Sequence, residues 1–505
     1  MGLRALIFLS FVLCGNVGSV AQSGPEKYAE LITPSDLREK LEIIASDALE
    51  GRATGSRGQK MAAAFIGYHF EDLGLKAPVD GSFYQRFQLY KNIPGEVYLT
   101  VGRNRFENFE DIIYYGKDNS GGDVTIPVIF GGKGRAEDIG QLPLEGKGVL
   151  IMQEPEGDYR AAVSLARTKK AEMIFILNTT DPGAFQEYAR QFESFLSDGR
   201  LSLKKPPTAD KSAGIFFVSP GAAETIFNTT IEKLSEAASM DPQKNPLRRI
   251  VAGKVTYRTS VETVTVNTEN VLGYLEGTDK KDEVIVITAH YDHIGKKREG
   301  EGDLINNGAD DDGSGTVAVM QLARAFAQAK KEGKGPRRSI LFMTVAGEEN
   351  GLLGSEYYTQ YPVFPLSGTV VNLNIDMIGR RDEQHRESPP YFYVIGADKL
   401  SADLHALSES VNEKYTGLLF DYTYNDENHP ARLYYRSDHW NFAQKNIPII
   451  FYFDGIHEDY HLPSDEVDKI EFDLLTVRAK CIFFTAWEIA NREERIRPDI
   501  QKTKK

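Results

Sequence analysis

"DEVIVITAHYD", residues 282–292, is a run of apolar and β-branched residues that stops abruptly on a histidine and an aspartate. Its apolar part shows no alternation with polar residues, the pattern of a strand buried on both faces. Four further runs share this texture: "RRSILFMTVAGEE" (337–349), "GTVVNLNIDMIG" (368–379), "PYFYVIG" (390–396) and "IPIIFYFDG" (447–455). Segments with helical periodicity lie between them, among them "TVAVMQLARAFAQAKK" (316–331) and "SADLHALSESVNEKYTG" (401–417). This alternation predicts an α/β fold: a mainly parallel mixed sheet with helices on both faces.

In such sheets ligands bind beyond the carboxyl ends of the strands, and the reactive side chains fall there. His290 and Asp292 close the first run, Glu348 and Glu349 the second, and Asp376 sits where the third gives out. Tyr460 and His461 follow the last run. Between the first two strands, "NNGADDDGSG" (306–315) crowds three aspartates ahead of a helix. Singly, each has an ordinary reading. The acidic run resembles a solvated helix cap, the glutamate pair an acidic first turn, Asp376 a cap, and His290 a surface histidine. A calcium loop of EF-hand type fails on spacing: with Gly313 as the loop glycine, the twelfth position is Val319 rather than an acid.

Together these positions argue for one site. Zinc takes imidazole nitrogen and carboxylate oxygen, and a catalytic zinc keeps one position open for water. Two neighbouring ions can share a carboxylate and clamp both the attacking and the developing oxygen. His290, Asp311, Glu349, Asp376 and His461 meet the ligand count of such a pair. Glu348 is left over as a base, and Asp292 as the group that orients the imidazole of His290.

The bulk composition is that of an ordinary soluble protein, 41% hydrophobic and 26% charged. At 505 residues the chain is too long for one core, so two or three domains are expected. The net charge of −14, from 59 basic and 73 acidic residues, argues against nucleic acid or an anionic membrane as the main partner. "MGLR" followed by a short apolar run and "SVA" predicts a signal peptide (1–21) cut after Ala21, hence export to the periplasm or the medium. No other stretch is long and apolar enough to span a bilayer. Loss of the signal also removes Cys14, leaving Cys481 alone and no internal disulfide to stabilise the exported chain.

Residues 33–76 read as two helices around a Gly-rich turn. From 106 to 260 the texture changes to short β-rich runs, "IPVIFGG", "GKGVLIMQ", "MIFILN" and "GIFFVS", with helical segments between and few acid or histidine clusters. The expected organisation is a first segment of the main domain at 34–105, an inserted domain at 106–260, and the catalytic segment at 261–495.

The motifs "HYD", "NNGADDDGSG", "GEENGLLGS", "NIDMIG", "RSDHWNF" and "DYHLPSD" resemble, in order, those of the zinc-dependent aminopeptidase family that includes secreted bacterial leucine aminopeptidases, glutamate carboxypeptidase and glutaminyl cyclase. The resemblance covers about the last half of the chain. It implies two zinc ions per chain, with His290 and Asp376 on one, Glu349 and His461 on the other, and Asp311 bridging. It further implies Glu348 as the general base, Tyr460 as a stabiliser of the oxyanion and Arg436 as a substrate-positioning residue. The segment "LEGKGVLIM" followed by "AVSLARTKKAEMIFILN" resembles a protease-associated domain.

The expected substrates are therefore peptides with a free amino terminus. A carboxypeptidase or dipeptidase reading stays open through Arg380, Arg381 and Arg436, which could meet a substrate carboxylate. Glutaminyl cyclase shares the fold, and some relatives without ligands are binding ectodomains; intact ligand and base positions argue against the latter.

Overall fold

The computed structural model describes residues 24–117, 119–153, 159–205, 213–241 and 250–500. The expected signal peptide and its cut after Ala21 lie outside these residues. The runs read as doubly buried strands assemble into one eight-stranded sheet. Its order is Tyr84–Pro94, Val261–Leu275, Arg338–Val345, Lys280–His290, Thr369–Ile375, Ile449–Phe453, Tyr391–Ile395 and Leu419–Asp421. The four central strands, from Arg338–Val345 to Ile449–Phe453, run parallel. The first two strands and Tyr391–Ile395 join by antiparallel pairing, so the sheet is mixed around a parallel centre.

Alternation along Lys280–His290 explains why the strand has no polar face. Ile285, Ile287 and Ala289 pack in a core with Val319 and Phe326 of the helix Gly315–Lys331 and with Phe483 of the helix Phe472–Asn491. Val284 and Val286 point the other way, into a core with Tyr358 and Phe442. Both faces are thus covered by helices, and only the strand ends are left to carry polar chemistry. Cys481 is buried within the helix Phe472–Asn491. No helix among the described residues is long and apolar enough to cross a membrane.

The N-terminal helices Pro34–Ile44 and Arg57–Asp72 flank a glycine-bearing turn, as their pattern suggests. Thr33 and Ser56 cap them by accepting from Asp36 N and Gln59 N. From that turn Arg52 reaches into the interior and is fully buried. Its guanidinium donates to the carbonyls of Tyr291, Ile44, Asn307 and Gly308 at 2.6–3.0 Å. One side chain thereby ties the N-terminal segment to both loops that bear the first histidine and the aspartates.

A second eight-stranded sheet is formed by the chain between the first strand of the first sheet, Tyr84–Pro94, and its other seven. Its order is Asn104–Glu107, Tyr98–Val101, Gly253–Arg258, Val124–Phe130, Gly148–Met152, Met173–Leu177, Gly214–Val218 and Ile112–Tyr115. The sheet already includes Tyr98–Val101, so it begins ahead of the edge at 106 expected from sequence. The cause is the hairpin between Tyr98–Val101 and Asn104–Glu107, whose turn at Gly102 carries the change of texture. The chain leaves and re-enters the first sheet through one long antiparallel ribbon, Tyr84–Pro94 against Val261–Leu275. Phe87 and Leu89 of that ribbon pack with Leu201 of the second lobe and Leu353 of the first.

Replacing Arg52 by Lys keeps the charge but cannot reach four carbonyls with a planar fork. Hydrogen bonds from a charged donor are worth about 1.5–3 kcal/mol each, so Arg52→Lys is expected to lower unfolding free energy by roughly 3 kcal/mol. Chemical denaturation measures this; an unchanged midpoint would refute the bracing role.

Candidate metal centre

Four parallel strands bring their carboxyl ends to one edge, and the acidic loop lies across that edge. Its three aspartates do different work. Asp312 is fully buried and makes no cation contact. Its Oδ1 accepts from Gly315 N (2.9 Å) and Met377 N (3.1 Å), and its Oδ2 from His290 N (3.1 Å). It therefore joins the end of one strand, the start of the next helix and the turn after Thr369–Ile375. Gly315 is required here: a Cβ would stand 2.3 Å from Oδ1 of Asp312. Asp310 ties the loop sideways, accepting from Gly379 N at 2.6 Å, while Asp465 accepts from the main-chain N of Asp310 and of Asp311 at 3.1 Å.

Asp312 is committed to backbone and Asp310 turns its second oxygen to His457 Nε2 at 3.3 Å, so Asp311 is the aspartate that faces His290 and His461. Its Oδ1 lies 3.1 Å from Nε2 of His290, and its Oδ2 lies 3.0 Å from Nε2 of His461. Asp376 Oδ1 is 3.5 Å from the same nitrogen of His290. The other oxygen of Asp376 accepts from Ser437 Oγ at 2.6 Å, and Asn374 donates to Ser437 Oγ in turn. Glu349 Oε2 is 3.3 Å from His461 Nε2. The structure thus brings together all five positions expected from sequence, His290, Asp311, Asp376, Glu349 and His461.

Glu348 stands just beside them, its Oε2 3.9 Å from His290 Nε2. Burial raises its pKa well above the usual carboxylate range; the His290 imidazole opposes this, and the charges of Asp376 and Glu349 reinforce it. Tyr460 stacks on His461 with ring centroids 3.8 Å apart, and its hydroxyl pKa is raised by burial and then by the charge of Asp311. Arg436 lines a recess of about 40 Å³ with Leu433, Phe451, Phe453 and Ile456, next to Glu348 and Asp376.

Asp292 differs from its expected part. His290 Nδ1 is 2.9 Å from the main-chain carbonyl of Asp292, whereas the carboxylate is 3.9 Å away. The carboxylate accepts instead from Thr54 Oγ1 at 2.6 Å and from Glu348 N at 3.3 Å. The reason is the tight turn after the strand, which brings the carbonyl back over the ring. Asp292 orients His290 through its backbone and positions the main chain of Glu348 through its side chain.

One residue was not singled out in the sequence. His293 follows the strand by three residues, is fully buried, and its Nδ1 lies 2.7 Å from Oε1 of Glu349. The second histidine of "HYDH" was the available signal, and spacing alone does not show which way its ring turns.

Two overlapping donor sets result: His290, Asp311 and Asp376, and His293, Asp311 and Glu349, in each of which the ligand atoms lie within 4.8 Å of one another. His461 Nε2, both nitrogens of His293 and Oε1 of Glu349 are buried without hydrogen-bond partners. Buried polar atoms are rarely left so, and imidazole plus carboxylate is the donor set zinc takes. The residues fit a divalent metal. The electrostatics agree: against the effect of burial, Asp311 and Glu349 raise the pKa of His461 to about 10. Burial likewise works against His290, whose pKa is nonetheless raised well above its usual value, chiefly by the charge of Asp376. The site is a concentration of negative charge that only cations can relieve.

Residues 270–485 match the model of peptidase family M28, so the resemblance read from the motifs holds over that segment. A protein named probable zinc metalloprotease from Pyrenophora teres f. teres is 27% identical over 266 residues, 45% of this chain and 52% of that relative. Aminopeptidase YwaD from Bacillus subtilis is 25% identical over 235 residues, 45% of this chain and 46% of its own length. The chain spans about half the length of the curated relatives it matches. The solved aminopeptidase from Aneurinibacillus sp. strain AM-1 superposes with a TM-score of 0.53 at 19% identity, over 95% of this chain and 99% of that one. At that identity the likeness establishes the fold, the α/β architecture expected from the strand and helix pattern.

Removing the Asp312 carboxylate leaves the buried N–H groups of His290 and Met377 without an acceptor, each costing about 1–3 kcal/mol, while Gly315 N keeps the main-chain carbonyl of Asp312. Asp312→Ala is expected to destabilise the protein by roughly 2–6 kcal/mol and to lower metal content, although Asp312 faces no metal position. Equilibrium unfolding with parallel elemental analysis tests this; wild-type values for both would refute it.

Proposed function

We propose that the protein is an exported two-zinc metallopeptidase that removes single residues from the free amino end of peptides. The observation that carries this reading is Asp311, whose two oxygens each face a different histidine, at 3.1 and 3.0 Å. A carboxylate so placed suits a bridge between two ions. His290 and Asp376 would hold one, Glu349 and His461 the other, with Asp311 shared. When bound, such a pair supplies Lewis acidity that polarises a carbonyl and activates water near neutral pH.

The remaining steps belong to side chains. Glu348, adjacent to the ligands yet outside the ligand sets, takes the proton from the attacking water and delivers it to the leaving amine. Its raised pKa suits a group that must hold a proton between the two events. Tyr460 donates its hydroxyl to the oxygen that develops charge. Asp292 keeps Glu348 in place through the main-chain N–H it accepts. The substrate ammonium is received among Glu348, Glu349 and Asp376 by charge-assisted hydrogen bonds, stronger than neutral ones. The recess lined by Leu433, Phe451, Phe453 and Ile456, with Arg436 at its wall, receives the first side chain.

Two of the three arginines that kept a carboxypeptidase reading open, Arg380 and Arg381, are engaged elsewhere, while Arg436 stays at the recess. Arg380 donates to Asp459 at 3.1 Å, and Arg381 pairs with Glu471 and donates to the carbonyls of His385 and Ser388. This favours recognition of an amine. The second lobe, read as a protease-associated domain, borders a cleft of about 810 Å³ that opens on Glu349, with Glu187 and Arg190 on its far wall. It limits how a peptide enters and so favours chain ends.

Glu348→Gln keeps size and removes the proton acceptor. It is expected to retain metal and fold while kcat/KM falls by about a hundred- to ten-thousand-fold, the usual cost of losing a general base. Parallel loss of metal would make Glu348 a ligand and overturn the assignment. With the wild-type enzyme, acetylating the amino terminus of a cleaved peptide should abolish hydrolysis, while amidating its carboxyl end should not. The reverse outcome would establish a carboxypeptidase.

A further inference from the structure

We infer that His293 is an additional protein ligand of the metal held by Glu349 and His461, so that the two metal positions are unequal. This rests on the two-ion reading above. His293 follows the strand Lys280–His290, and its ring is fully buried. Nδ1 stands 2.7 Å from Glu349 Oε1 and 3.9 Å from Asp311 Oδ2. Although the two groups are this close, neither ring nitrogen nor Glu349 Oε1 has a hydrogen-bond partner. A histidine kept only for packing or for a pair with Glu349 would be expected to satisfy at least one of these atoms. Convergence of unpartnered donors on one point, without mutual hydrogen bonds, is what a cation between them requires.

The ring is held there by construction. His293 N donates to the carbonyl of Arg52 at 3.2 Å. Gly308, in the left-handed region at φ 55°, leaves the room: a Cβ there would meet Cδ2 and Cγ of His293 at 2.6 and 2.7 Å. The rings of His293 and His461 lie 5.7 Å apart at 71°, so the two imidazoles approach from different directions rather than stacking.

The consequence is an asymmetric pair. One side offers two imidazoles, Glu349 and a shared oxygen of Asp311, four protein donors that fill a tetrahedral zinc shell. The other offers one imidazole, Asp376 and the second oxygen of Asp311, which leaves a position open beside Glu348. The nitrogen-rich side fills first and favours zinc over harder ions; the oxygen-rich side exchanges more readily.

The test is stepwise loading of chelator-stripped full-length protein with Co²⁺ or Zn²⁺, followed by calorimetry and by the visible absorption of cobalt. The wild type should take up two ions with separated affinities. His293→Ala should bind one ion as the wild type does and the other at least 10-fold to 100-fold more weakly, with an altered cobalt spectrum. His293→Asn, a polar replacement that fills part of the space, serves as the second variant, and the metal-free thermal midpoint of each variant shows that the fold is kept. Two ions bound to folded variants with wild-type affinity and spectrum would overturn the inference while leaving the two-ion reading intact. Failure of the wild type to bind two ions would overturn the reading, and this inference with it.

Discussion

The architecture of the site hangs on one buried carboxylate. Asp312 accepts three main-chain N–H groups, from His290, Gly315 and Met377, which belong to three segments far apart in sequence. A parallel sheet buried on both faces offers polar chemistry only at its strand ends, and strand ends are where backbone donors lose their ladder partners. Placing an acceptor among those donors satisfies them and fixes the relative position of two strand ends. The side chains of His290 and Asp376 are then held beside one another, 3.5 Å apart.

Around that tie the loop distributes its charge with economy. Asp312 is committed to the backbone, Asp310 to Gly379 N and the imidazole of His457, and Asp465 supports both Asp310 and Asp311 from outside. Asp311 alone is left with two oxygens facing histidines. The crowding of three carboxylates, costly in isolation, is offset by main-chain N–H groups at Asp310 and Asp312 and by imidazoles at Asp310 and Asp311. Arg52, buried with four carbonyl partners, braces the same loop from the N-terminal segment. The residues before the second lobe therefore belong physically to the unit that carries the His290 and Asp311 loops.

The second lobe contributes by position. It joins the first through a ribbon and the small apolar cluster of Phe87, Leu89, Leu201 and Leu353. Leu353 begins the helix that follows Glu348 and Glu349. The same cluster thus lies between the second lobe and the start of the helix that follows Glu349.

The sequence by itself determined the fold class, because unbroken apolar runs have no solvated face and must be covered on both sides. It also determined which strand ends carry chemistry, since His290, Glu348, Glu349, Asp376 and His461 sit where those runs give out. It did not determine which aspartate of the three faces the cleft without the family resemblance; the three are equivalent in spacing, and only hydrogen bonds to distant backbone distinguish them. The part of Asp292 was legible only to the residue, because the choice between its carbonyl and its carboxylate depends on how tightly the chain turns after the strand. The start of the second lobe was hidden by a hairpin whose first strand carries no change of composition. His293 was invisible as a donor for the most general reason: the direction of a side chain in a loop is set by what leaves room for it, here the missing Cβ of Gly308, and that is a property of the tertiary structure alone.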